Sequence, residues 1–290
     1  MIVKKRCRKF YLDIGANHNQ SLPRTKKIIQ ELGRLKRENT KSGLKNVEIT
    51  GVKFQVFNHD NLFRNAKINK IEELKKTMLP VHFIPALIAY AKGENLEIGF
   101  TPFGFDSLKT LKQYSKDIYY KVSAFDTLRF DFIQAIKAQS QKPMHLSFLP
   151  THNKDEFNHI RSVLGYENVF YHCVSKYPTK ANEVFLKSIK RLPYFGYFGY
   201  SDHTSNIAVI LAAFNYCDFF ELHIDLDDMQ GAESKHGHVW SLSKLKQLLI
   251  LANDYENANQ KIPIDSSIYD LRFNRADPSD GLRPLKKGVE

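Results

Sequence analysis

The sequence predicts an α/β protein built as a (β/α)8 TIM barrel with a short C-terminal extension. Eight short runs rich in β-branched and aromatic residues recur along the chain, separated by segments with apolar residues at helical spacing. Alternation repeated this often within roughly 250 residues is the pattern of a closed barrel. An open, doubly wound sheet reads the same way locally. Its glycine-rich fingerprint, GxGxxG or GxxxxGK[ST], is missing after the first run, however. The barrel is expected over 1–256 and the extension over 257–290.

The first strand is "FYLDIG" (10–15), after which Ile28, Ile29, Leu32 and Leu35 set out one face of a helix. "VEITGVKFQVF" (47–57) is the second strand; the helical segment "LPVHFIPALIAYAK" leads to the third, "LEIGFTPF" (96–103). "DSLKTLKQY" leads to strand four, "IYYKVSA" (118–124), and Leu128, Phe132, Ile133 and Ile136 mark the helix before strand five, "PMHLSFL" (143–149). "KDEFNHIRSVL" precedes strand six, "NVFYHCVS" (168–175). Strand seven is "YFGYSDH" (197–203), with Thr204 or Ser205 expected to cap the next helix. Strand eight is "DFFELHIDL" (218–226), and Ser241 is the expected N-cap of the last helix, "SLSKLKQLLILANDYE".

Composition bounds the function. The hydrophobic fraction of 42% describes a globular chain rather than a disordered one. Cys7, Cys173 and Cys217 are odd in number, widely spaced and outside any CxxC, a pattern that suggests neither a disulfide framework nor a thiolate metal site. No signal-peptide run opens the chain and nowhere do 18 apolar residues stand together, so a soluble cytoplasmic protein is expected. The net charge of +12 is compatible with nucleic acid, an anionic membrane or an anionic small substrate. Its lysines and arginines are scattered, with no nucleic-acid-binding motif, so no membrane and no nucleic-acid partner is expected.

A barrel of this class works at the C-terminal ends of its strands, where interior positions are otherwise apolar. Polar residues late in the strands are therefore the candidates: Asp13, Asn17 and His18; Lys53 and Gln55; Thr101; Lys121 and Ser123; Ser147; His172, Ser175, Lys176 and Tyr177; Ser201, Asp202 and His203; Glu221, His223 and Asp225. Two lysines inside central strands point to an anion held between them, because an unpaired buried ammonium is costly. His203 and His223 end adjacent strands, each with a carboxylate near it, and suit a divalent metal. His172, set in an apolar strand, reads as a satisfied core histidine.

"DIGANHNQS", "VKFQVF", "FTPFGFDS", "YYKVSAFD", "YHCVSKYP", "GYSDHT" and "ELHIDLDD", in that order, resemble the N-acetylneuraminate (sialic acid) synthase family from about residue 10 to 250. The resemblance implies a barrel synthase that condenses phosphoenolpyruvate with an N-acetylated amino sugar, releasing phosphate and giving a sialic-acid-like nonulosonate, with a divalent metal, Mn²⁺ or Mg²⁺. Carried over residue by residue, it implies metal ligands at His203 and His223 and acid/base groups at Asp13 and Glu221. It implies substrate contacts at Lys53, Thr101, Lys121, Ser123, Ser147, Ser175, Tyr177 and Ser201. It is compatible with a homodimer.

The chain departs from the family in five places. "SAFD" stands for the family's "ASGE", "SFLP" for its "STGM", and Val174 precedes Ser175 where a threonine is usual. Where the family has "PGPDH" the chain has "QGAESKHGHVWSL", in which Glu233, His236 or His238 replaces the aspartate. Family members carry a C-terminal antifreeze-like domain whose arginine holds the sugar's N-acetyl group; here Arg275 and Arg283 are the candidates in its place. Two alternatives follow from these changes and from the metal pattern: a catalytically weakened barrel that binds a sugar or a partner, and another metal-dependent sugar-phosphate aldolase.

Overall fold

The computed structural model describes residues 7–58, 68–165, 167–191 and 197–259. Eight strands run parallel in sequence order: β1 (Arg8–Asp13), β2 (Val47–Phe57), β3 (Glu97–Phe103), β4 (Ile118–Val122), β5 (His145–Phe148), β6 (Val169–Cys173), β7 (Tyr197–Asp202) and β8 (Phe219–Asp225). β1 also pairs with β8, which closes the cylinder. Each expected strand is present, most of them shorter than the apolar run that predicted it. A two-residue strand, β9 (Trp240–Ser241), adds to the outer end of β8 and had no counterpart in the sequence pattern.

The strands are separated by α1 (Leu22–Lys41), α2 (Ile68–Thr77), α3 (Ile84–Gly93), α4 (Phe105–Leu111), α5 (Phe130–Gln139), α6 (Lys154–Leu164) and α7 (Ile207–Ala213), and α8 (Leu242–Ala258) ends the described chain. Local chemistry starts several of them. Ser21 accepts from the Arg24 amide, Asn153 and Glu156 form a reciprocal capping box, and Ser241 caps α8 as expected. The cap of α7 is Asn206, whose side chain accepts from the Ala208 amide, rather than Thr204 or Ser205. Those two residues are held instead by Asp202, which accepts from both of their amides.

Strand parity divides the core in two. Even-numbered residues such as Phe10, Leu12, Phe54, Phe100, Phe148, Phe170 and Phe220 pack outward against the helices, as the Phe148–Phe157 and Phe214–Phe220 ring contacts show. Odd-numbered residues face the barrel axis and meet across it: Tyr11 reaches Tyr119 and His145, and Lys121 reaches Glu221. The lower interior is a cluster of Tyr11, Tyr119, Val169, Tyr171 and Phe219 in place of the usual aliphatic layers. Glycines make room for these rings. A Cβ at Gly99 would lie 2.1 Å from Tyr119 Cζ, and one at Gly199 would lie 2.5 Å from Tyr171 Cδ1.

Among the described residues no helix is long and apolar enough to cross a membrane. Of the expected extension only residues 257–259 are described; Arg275 and Arg283 lie outside the described residues.

Candidate active site

Above the tyrosine layer, closure of the barrel brings the odd-numbered polar residues together. Two buried ion pairs form the floor. Lys53 Nζ donates to Asp13 Oδ2 at 2.6 Å and to Thr101 Oγ1 at 3.2 Å; Lys121 Nζ donates to both oxygens of Glu221, at 2.7 and 2.8 Å. Gln55 and the Gly15 amide also donate to Asp13, and Ser201 donates to Glu221. Burial alone would lower Lys53, but Asp13 and Glu221 outweigh it and hold its pKa above the ordinary lysine value. Burial likewise opposes the charged form of Glu221, yet Lys121 and Lys53 hold it well below the usual carboxylate range. Lys121 is pulled down by burial, with the Lys53 charge adding to the effect. The floor is thus a set of fixed charges in a dry setting, where each is worth more than in water.

Beside it stands a cluster of imidazoles. His203 Nδ1 lies 2.7 Å from the Val174 carbonyl. A carbonyl can only accept, so Nδ1 carries the proton and Nε2 keeps its lone pair. The His203 and His223 rings are 5.3 Å apart, and the half-exposed Tyr177 ring covers them at 4.2 and 6.1 Å. Burial, reinforced by His223, pushes His203 down to about 3 and so keeps it neutral. His223 has the opposite balance: burial is outweighed by Glu233, 2.7 Å away, and by Asp13, and its pKa rises.

The segment after β8 supplies the residues that the sequence left open. Glu233 and His238 reach the site; His236 is exposed and does not. Glu233 accepts from the Ala16 amide at 2.8 Å and contacts His223, and its own amide donates to Asn17. Gly15 is required beneath it: its φ is +51°, and a Cβ there would lie 2.4 Å from Glu233 Oε1. Ligand atoms of His223, Glu233 and His238 all lie within 4.8 Å of one another, and His238 Nδ1 is buried with no hydrogen-bond partner among the described residues. This donor set of two imidazoles and a carboxylate fits a divalent metal, with His203 alongside. Asp225 clasps the segment, accepting from Arg24, the Leu226 and Gly231 amides and Ser234.

The remaining candidates occupy different places. Ser147 is buried on the inner face of β5, in register with Tyr171. Ser123 donates to Asp126, which also pairs with Arg129. Ser175 lies 3.8 Å from the Cys173 sulfur. Even numbering turns His172 and Asp202 outward. His172 Nε2 meets the Val184 carbonyl at 2.6 Å, and Asp202 accepts from the Trp240 indole, so both are structural. Gln55 is among the strand-two candidates and Glu233 among those left open after strand eight; the contributors that side-chain patterns do not single out are the Gly15 and Ala16 amides, which donate to Asp13 and Glu233.

The sequence pattern of the NeuB family matches residues 44–262. Pseudaminic acid synthase of Helicobacter pylori is 27% identical over 238 residues, 76% of this chain and 66% of that one. N,N'-diacetyllegionaminic acid synthase of Campylobacter jejuni is 28% identical over 248 residues, 77% of this chain and 69% of that one. The chain therefore spans about two thirds of the length of these curated relatives. The crystal structure of N-acetylneuraminic acid (sialic acid) synthetase from Leptospira borgpetersenii superposes with a TM-score of 0.76 at 20% identity, covering 93% of this chain and 92% of that one. A truncated 3-deoxy-D-arabino-heptulosonate 7-phosphate synthase from Thermotoga maritima shares the fold at a TM-score of 0.61 and 10% identity, with 88% of each chain covered. With most of the barrel inside the matched span, the chain belongs to the NeuB family.

Proposed function

We propose that this protein joins phosphoenolpyruvate to an N-acetylated amino sugar, consuming water and releasing phosphate, to give a sialic-acid-like nonulosonate. The observation that carries the reading is the pairing of two buried lysines with two buried carboxylates beside a cluster of imidazoles at the C-terminal mouth. Phosphoenolpyruvate brings a carboxylate and a phosphate. Lys53 and Lys121 can take up these oxygens by charge-assisted hydrogen bonds, with hydroxyls from Thr101, Ser147 and Ser201 and further contacts from Ser123, Ser175 and Tyr177. Asp13 and Glu221 then exchange an ammonium partner for the reacting groups.

In the reaction the enol carbon of phosphoenolpyruvate bonds to the sugar's aldehyde carbon, the aldehyde oxygen gains a proton, water adds at the cationic C2, and phosphate leaves. Asp13 and Glu221 are the acid/base candidates for the aldehyde oxygen and the water. His203, His223, Glu233 and His238 would hold a divalent metal, Mn²⁺ or Mg²⁺, which when bound supplies Lewis-acid polarisation of the aldehyde. Glu233 also holds the Asp13 turn through the Ala16 amide, so the two carboxylates are positioned together.

The names of the relatives, for pseudaminic and diacetyllegionaminic acid synthesis, support a diacetamido sugar beside N-acetylmannosamine as acceptor. Phosphate release is measured with phosphoenolpyruvate and a panel of N-acetylated hexosamines, with Mn²⁺ and with chelator. Release that needs both substrates and the metal supports the reading. Folded, metal-loaded protein that releases none with any sugar refutes it and favours a binding barrel.

A further inference from the structure

We propose that Tyr171 is a positioning residue for Lys121, holding the lysine's ammonium on the face of its ring beneath the Glu221 carboxylate. Lys121 Nζ lies 4.6 Å from the centre of the Tyr171 ring while donating to both Glu221 oxygens. The ammonium is therefore fixed from two sides, by a carboxylate from β8 and by the negative face of an aromatic ring from β6. β4 and β8 stand opposite each other, with three strands between them either way around the wall, so this contact exists because the barrel is closed.

The ring has little freedom to do otherwise. Tyr171 is fully buried, and its hydroxyl meets His145 Nδ1 at 3.1 Å. His145 stacks on Tyr119 with ring centres 4.3 Å apart and an interplanar angle of 28°. On the other flank the ring lies across Gly199, where a Cβ would stand 2.5 Å from Cδ1 and 2.7 Å from Cε1. A residue that served only to fill the barrel could be any branched aliphatic side chain. The groups facing the Lys121 ammonium are Glu221 on β8, Lys53 on β2, and Cys173 and Tyr171 on β6, with His145 in register with Lys121 on the neighbouring strand β5. Burial and Lys53 oppose the charged form, whereas Glu221 and the ring face favour it.

The consequence for turnover rests on the phosphoenolpyruvate reading, but the positioning itself can be measured without a substrate. In the full-length chain, position 171 is changed to Phe and, by amber suppression, to 3,4,5-trifluorophenylalanine, which keeps the ring's shape and removes most of its negative face. The titration of the Lys121 side chain is followed by NMR with labelled lysine, its signal assigned with Lys121→Met, and phosphoenolpyruvate affinity is measured by calorimetry. The Phe variant is expected to titrate like the native chain, and the trifluoro variant about one pH unit lower. Equal midpoints for the Phe and trifluoro variants overturn the proposal. A shifted midpoint with no phosphoenolpyruvate binding in any variant upholds the positioning and refutes the substrate reading instead.

Discussion

Asp225→Asn tests how the metal-competent segment is held. The two oxygens of Asp225 are shared among four donors: Arg24 Nη2 at 2.5 Å and the Leu226 amide at 2.8 Å on Oδ1, the Gly231 amide at 2.6 Å and Ser234 Oγ at 2.7 Å on Oδ2. Asparagine has nearly the same shape, but its NH2 group faces two of these donors and leaves them without an acceptor. Each lost bond to a buried charged acceptor is worth about 1.5–3 kcal/mol, so two lost bonds cost about 3–6 kcal/mol, while Arg24 keeps Asp228 as its partner. For a chain of this size that is a fall in Tm of roughly 6–24 °C. The functional effect is separate: Glu233 and His238 sit on the clasped segment, so Mn²⁺ affinity should fall about 10–100-fold, as for the loss of an orienting group behind a metal ligand. Calorimetric titration with Mn²⁺ at a temperature where both proteins are folded reads this directly. Unchanged Mn²⁺ affinity in a folded Asp225→Asn variant would falsify the view that the clasp positions the site.

Three further outcomes are expected. Gly99→Ala places a methyl 2.1 Å from Tyr119 Cζ inside a ring stack with no space to yield; it should cost about 1–3 kcal/mol in urea unfolding, and a change below ~0.5 kcal/mol would contradict the packing. Burial, with Lys121 adding, pushes His145 down to about 3, so the folded state holds it neutral while the unfolded chain takes up a proton below about 6.5. Its contribution is intact above that value and is lost progressively as pH falls towards 3, amounting to ~2 kcal/mol by pH 5. The stability–pH slope of His145→Asn should be flatter over this window, and an equal slope would remove His145 from the account. Asp13→Asn should lower turnover about 100-fold or more with phosphoenolpyruvate saturating, and turnover equal to that of the native chain would exclude Asp13 as acid or base.

Much of the molecule was legible before any coordinates. All eight strands fall within or beside the runs that predicted them, and Ser241 caps the last helix as read. The short β9 was not legible, since two residues carry no period, nor was the Asn206 cap, because Thr204, Ser205 and Asn206 are all residues that can cap a helix. Which of them is used depends on Asp202, whose carboxylate takes the amides of the other two.

The sequence by itself determined the strand count, the alternation of polar and apolar faces and the residue types at the strand ends, because these are local properties with a period of two. Only the tertiary structure decided which parity faces the axis, and with it that Lys121 meets Glu221 across the barrel while His172 and Asp202 turn away. It also decided among Glu233, His236 and His238, placing the first and last beside His223. The physical reason is closure: pairing β1 to β8 converts side chains a hundred residues apart into neighbours, a constraint that no window of sequence contains.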